Sequence, residues 1–156
     1  MDKGTSYKDV AMQYVNYVAS WYGKCCIVFD GYDGPSIKDQ EHQRRVGKTC
    51  ADIQVTETMK AHHDQESFLS NGKNKTNFIL LVGQRLESAG HIVHISSGDA
   101  DTLIVASALQ FAEQGHDVSV EAHDTDILVL LMYHWKPNIN FWKPKIYNVT
   151  VSFCTK

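Results

Sequence analysis

The chain has 156 residues, of which 43% are hydrophobic, 21% charged and 10% aromatic. One domain is expected at this length, burying roughly 70% of its unfolded surface, and the composition excludes intrinsic disorder, collagen and coiled coil. The net charge of −3, from 15 Lys plus Arg against 18 Asp plus Glu, gives no direct argument for a polyanionic partner. Where the charges fall therefore matters more than their sum.

The longest strongly apolar run, residues 127–133, is far short of the roughly 20 residues that span a bilayer. Residues 1–20 mix Asp, Lys, Gln and Asn with apolar side chains, which is unlike a signal peptide. No membrane partner is expected. Cys25, Cys26, Cys50 and Cys154 match neither a zinc pattern nor a small disulfide scaffold. They read as buried or free thiols of an intracellular protein, for which the sequons at Asn74 and Asn148 carry no meaning.

In chain order, Val10, Tyr14, Tyr17, Val18 and Trp21 recur at helical spacing and predict a helix over 8–22, stopped by Gly23. Residues 25–29 predict a buried strand that ends in Asp30-Gly31, with Pro35 in the loop beyond. From Ser36 to about residue 63 the pattern is polar and helical. A loop is expected around Asn71, Gly72 and Asn74, then a helix over 76–88 stopped by Gly90.

The second half predicts a strand over 91–95, a turn at Ser96-Ser97-Gly98, and an apolar helix over 99–114 ended by Gly115. Next come a strand over 117–122 and a helix from near Thr125 to about residue 134. The tail over 136–156 reads as irregular or as edge strand. Alternating strands and helices predict an α/β fold in three layers, with a mainly parallel central sheet and helices on both faces. Right-handed crossovers put the ends of successive strands on one edge.

The carboxylates fall on that edge. Asp30 closes the first strand, Asp99 and Asp101 come after the second, and Asp124 and Asp126 after the third. Ligands of open α/β sheets bind there. Asp before a helix is also a common N-cap, and Asp in the first turn suits the helix dipole. Capping needs one carboxylate per helix, however, and both helices carry two. Two such charges roughly 4 Å apart repel by about 4 kcal/mol at an effective dielectric of 20. If the acids converge, either some of them are protonated or a divalent cation sits among them, and oxygen ligands without His or Cys favour Mg²⁺ or Mn²⁺. Clustered carboxylates holding such ions are a usual apparatus for hydrolysing phosphodiesters.

Lys38, Arg44, Arg45 and Lys48 form a second group, with Lys38, Arg45 and Lys48 near one face of the expected helix. Beside an acidic edge, they suit phosphate contacts, so a nucleic acid is the expected partner. His62-His63 and the His91, His94 pair lack a completing ligand set for zinc.

These residues resemble a family. Val28-Phe29-Asp30-Gly31, with a Lys/Arg-bearing helix after it, resembles the flap endonuclease and XPG branch of the PIN-like nucleases. There, a strand ending in a metal-binding Asp leads into a basic arch that handles a displaced DNA strand. Gly98-Asp99-Ala100-Asp101 resembles the second acidic pair of that family, usually two Glu, and Asp124-Thr125-Asp126-Ile127-Leu128-Val129 resembles its third element. The chain is also similar to divergent PIN-like proteins found beside mobile elements.

The resemblance spans residues 8–132. It implies a metal-dependent nuclease core in which Asp30, Asp99, Asp101, Asp124 and Asp126 are catalytic and metal-binding. Lys38, Arg44, Arg45 and Lys48 would bind nucleic acid, and Mg²⁺ or Mn²⁺ would be the cofactor. The family opens with a further Asp-bearing strand and closes with a DNA-gripping helical segment, neither of which is legible here. The expectation is a single PIN-like domain truncated at its N-terminus. The alternative is a degenerate module that binds nucleic acid without turnover.

Overall fold

The computed structural model describes residues 4–31, 51–62, 64–122 and 124–134, and the backbone of 149–153. Its described elements run α1 (Tyr7–Tyr22), β1 (Cys26–Asp30), α2 (Gln65–Leu69), α3 (Gly72–Ser88), β2 (Ile92–Ser96), α4 (Ala100–Glu113), β3 (Val118–Ala122), α5 (Thr125–Tyr133) and β4 (Val149–Phe153). Among the described residues no helix is long and apolar enough to cross a membrane. The chain divides into two compact units, Met1–Val18 with Gly31–Gly90 and Ala19–Asp30 with His91–Lys156.

In the first unit, α1 begins at a reciprocal cap. The Asp9 backbone N–H donates to Ser6 Oγ, and the Ser6 backbone N–H donates back to Asp9 Oδ2, each at 3.1 Å. Bonds from the Ser6 hydroxyl and amide hold the Asp9 carboxyl below its usual range. The apolar face of α1 then buries Tyr7, Val10, Ala11 and Val15. Tyr7, Phe68 and Phe78 form a ring cluster with centroid separations of 5.3, 6.1 and 6.2 Å, joined by Tyr14 against Phe78. Tilted and edge-on geometries of this kind add to the burial of the rings themselves.

The helix expected over 36–63 is corrected where it is described, because residues 51–62 form no helix. Ile53, Val55, Thr56 and Thr58 are stiff, β-branched side chains that disfavour one. Other groups also claim the backbone of this segment. Asn74, fully buried, accepts from the Ile53 amide at 2.6 Å and donates to the Ala51 carbonyl at 3.0 Å, while Asn77 donates to the Ile53 carbonyl at 3.2 Å. Farther along, the Tyr7 and Lys8 amides donate to the carbonyls of Met59 and Glu57. Arg85 pairs with Glu57.

The loop expected around Asn71, Gly72 and Asn74 is shorter than its composition implied. Asn71 is the N-cap of α3, so Asn74 is helical, and its sequon is closed to glycosylation in the folded chain. Five-residue α2 was not expected, being too short to show a period. The predicted stop Gly90 adopts a φ of +90°, which favours glycine.

In the second unit, β1 and β2 pair in parallel, with Cys26 opposite Ile92 and Asp30 opposite Ser96. Just before the ladder, the Cys25 amide donates to Nδ1 of buried His91 at 3.4 Å, and the Ile92 amide donates to the Cys25 carbonyl at 3.1 Å. The imidazole thus stands where a backbone acceptor would continue the pairing. Burial pushes the Cys25 and Cys26 thiols up to about 11, which keeps both protonated and unreactive at neutral pH.

The core of this unit is Cys26, Ala108, Ala112 and Val118, against which Leu109, Phe111, Val120 and Leu131 pack. Two of these, Ala108 and Ala112, are small residues of α4. β3 differs from expectation. Among the described residues it pairs antiparallel with β4, Ala122 opposite Val149, so parallel pairing is confined to β1 and β2. What is established is a mixed α/β arrangement with a small parallel pair.

Phe68→Ala, which deletes a ring 1% exposed, is expected to cost about 3–5 kcal/mol of unfolding free energy. Asn74→Ala is expected to cost about 1–3 kcal/mol for each backbone group of residues 51 and 53 that it strands. Tyr133→Ala, at an 82% exposed position, is expected to change stability by no more than about 0.5 kcal/mol. Urea titrations of the three variants check all of these.

Candidate functional site

The five acids all belong to the second unit, and local structure accounts for the position of each. Asp30 is the last residue of β1 and is exposed. Its register partner Ser96 is the last of β2, and parallel pairing brings the two strand ends to one edge. The turn beyond Ser96 is tied by the Gly98 amide donating to Ser96 Oγ at 3.1 Å, and it leads directly into Asp99.

Asp99 is the N-cap of α4. Its Oδ2 accepts from the Thr102 hydroxyl at 2.5 Å and the Thr102 amide at 3.2 Å, and its Oδ1 accepts from the Asp101 amide at 3.4 Å. Asp124 is the N-cap of α5, with Oδ1 accepting from the Asp126 amide at 2.9 Å. Asp101 and Asp126 sit in the first turns of their helices and do not cap them. In each Asp-x-Asp, then, the first carboxylate satisfies the helix end and the second is spare.

Electrostatics separates the two members of the first pair. Bonds from the Thr102 hydroxyl and amide, then from the Asp101 amide, hold Asp99 below its usual range. Asp101 is pushed up, first by partial burial and then by the negative charges of Asp99, Asp124, Asp126 and Asp30. Every other acid of the predicted set therefore lies near enough to repel Asp101. Opposed shifts on neighbouring carboxylates are a feature of functional sites, although the lowered member here is accounted for by its cap.

Ligating distances are a separate matter. Among the described residues, no three His, Cys, Asp or Glu side chains lie together closely enough to hold a metal ion. The donor set nonetheless suits a hard divalent cation in its chemistry, being all carboxylate oxygen, and in its charge, which a cation would relieve. Lys38, Arg44, Arg45 and Lys48 lie outside the described residues, as do Cys50, Cys154 and residue 63. His91 is committed to Cys25 and His94 is exposed on β2, so the two histidines do not meet.

Sequence reasoning missed the role of Ser96, which closes the turn before Asp99; its only signal was its place at a strand end. It also missed the buried Asn74 of α3, which was expected in a loop. No protein-family model matches the chain, and no curated protein or solved structure shows significant similarity to it.

Asp101→Asn is expected to stabilise the fold. An acid whose pKa is raised on folding holds its proton more tightly in the folded state, so its ionisation costs stability. That cost is absent below the ordinary value of 3.8 and complete once pH exceeds the raised folded value. The variant should accordingly gain about 1–3 °C in Tm at neutral pH and nothing in strong acid, measured by thermal melts across pH.

Proposed function

We propose that the acidic edge of the second unit is the centre of a divalent-metal-dependent nuclease core of PIN-like, three-layer architecture. The observation that carries this reading is the placement of four carboxylates, Asp99, Asp124, Asp126 and Asp30, near enough to Asp101 to raise its proton affinity. Capping accounts for Asp99 and Asp124 and leaves Asp30, Asp101 and Asp126 without a capping task. Asp30, Asp99 and Asp101 lie at the carboxyl ends of a parallel strand pair and Asp124 and Asp126 after β3, and a cost of that kind kept at strand ends is characteristic of a working site.

Asp30, Asp101 and Asp126 would hold the ion, with Asp99 and Asp124 contributing from their caps, since each carboxylate has lone pairs beyond those its capping bonds use. A bound Mg²⁺ or Mn²⁺ supplies an oriented, acidified water and charge neutralisation at the leaving oxygen. The chain itself supplies the acids from two helix starts and one strand end, and their side chains would draw closer together to ligate an ion. The basic residues Lys38, Arg44, Arg45 and Lys48 supply sequence-independent contacts to DNA or RNA phosphates. Resemblance of the three acidic motifs, in order, to those of flap endonucleases supports the same reading.

The decisive experiment is cleavage of single-stranded and flapped substrates with Mg²⁺ or Mn²⁺. Asp101→Asn and Asp126→Asn are each expected to lower the rate by about a hundredfold or more. Undiminished cleavage by both variants would refute the assignment.

A second reading is favoured by the distances, because no three of these side chains among the described residues are close enough to hold an ion. On that reading the chain is a degenerate module that binds nucleic acid without cutting it. Binding should then weaken with salt, and Arg44→Ala and Arg45→Ala should each lower the slope of log K against log salt by about 1. Filter binding at several salt concentrations, with no metal-stimulated cleavage, distinguishes it from the first.

A further inference from the structure

The junction of Asn71 and Gly72 in the first unit contains a glycine that the fold does not require. Gly72 is the first residue of α3, directly after the N-cap Asn71. Its φ is not positive, and a Cβ built there would meet nothing within 4 Å. What glycine does provide is an unhindered backbone nitrogen next to a side-chain amide. Asn71 itself carries two duties. Its Oδ1 caps α3 by accepting from the Lys73 and Asn74 amides at 3.0 and 3.2 Å, and its Nδ2 donates to Asp52 Oδ1 at 3.0 Å. Asp52 also pairs with Lys73 Nζ at 2.6 Å.

We propose that Asn71 is a site of spontaneous deamidation through a succinimide formed with Gly72, and that its conversion to aspartate loosens the segment at residues 51–53 from α3. This proposal is independent of the nuclease reading. The Gly72 nitrogen gives up its proton and bonds to Asn71 Cγ. The bond from Cγ to Nδ2 breaks, and ammonia leaves with that proton. Water then opens the ring, at Cγ to give aspartate or at the main-chain carbonyl to give isoaspartate.

The fold sets both rate and consequence. Asn71 is only 8% exposed and held through both ends of its amide, so the reaction proceeds when the first turn of α3 opens. Aspartate is as good an N-cap as asparagine, so the helix start survives. The contact with Asp52 does not, because a donor is replaced by a second carboxylate facing the first. Isoaspartate lengthens the main chain by a methylene and disturbs the cap as well.

The test is ageing of the purified full chain at mildly alkaline pH, with peptide mapping for amide-to-acid conversion. Asn71 is expected to convert ahead of every other asparagine, several-fold more slowly in Gly72→Ala. The aged chain and Asn71→Asp should each melt about 2–4 °C below the fresh wild type. If Asn71→Asp does not fold, the aged chain serves alone. First conversion at another asparagine, an unchanged rate in Gly72→Ala, or an aged and converted chain as stable as the fresh one would overturn the proposal.

Discussion

The parallel pairing of β1 with β2 is the constraint on which the acidic edge depends. With Cys26 opposite Ile92 and Asp30 opposite Ser96, both strands end together, and the residues just beyond each end are delivered to the same place. Parallel strands cannot be joined by a tight turn, and here the connection between them contains all of Gly31–Gly90. From the end of β2 the tied turn at Ser96 leads to Asp99, and α4 carries the chain back beneath the strands to β3. A one-residue slip in the ladder would turn the side chain that closes β1 to the other face and remove Asp30 from the group.

Local geometry then divides labour among carboxylates of identical chemistry. Asp99 and Asp124 spend their oxygens on orphan helix amides, which stabilises both helix starts and, at Asp99, the charged form. Asp101, two residues on, has no amide to serve and instead meets the field of the other four. The same edge is therefore stabilising at its caps and frustrated at its centre. Frustration of that kind is what a bound cation would relieve, which is the basis of the proposed function.

Much of this was legible in the residues. The apolar periods around Val10 to Trp21 and Phe78 to Leu86 and the apolar run over 99–114 marked their helices, although Tyr14, Tyr17 and Trp21 of the first are exposed, and Gly90 and Gly115 ended theirs as expected. The strands at 26–30, 92–96 and 118–122 lay close to where short apolar runs between turns placed them. Failures came where backbone groups are claimed by distant side chains. Residues 51–62 look helical when charge and polarity alone are weighed, but Asn74, Asn77 and the start of α1 take their amides and carbonyls. Pairing of β3 with β4 likewise depended on which strand the tail reaches, a choice that no local pattern records.

The sequence by itself determined the elements and the order of the five acids along the chain, because hydrophobic period, capping chemistry and turn residues are local. Only the tertiary structure decided that the other four acids repel Asp101, and that Asn74 and His91 are interior hydrogen-bonding groups. Those outcomes depend on which strand ends and which side chains become neighbours in space. Burial and electrostatic fields arise from that proximity and not from adjacency in the chain.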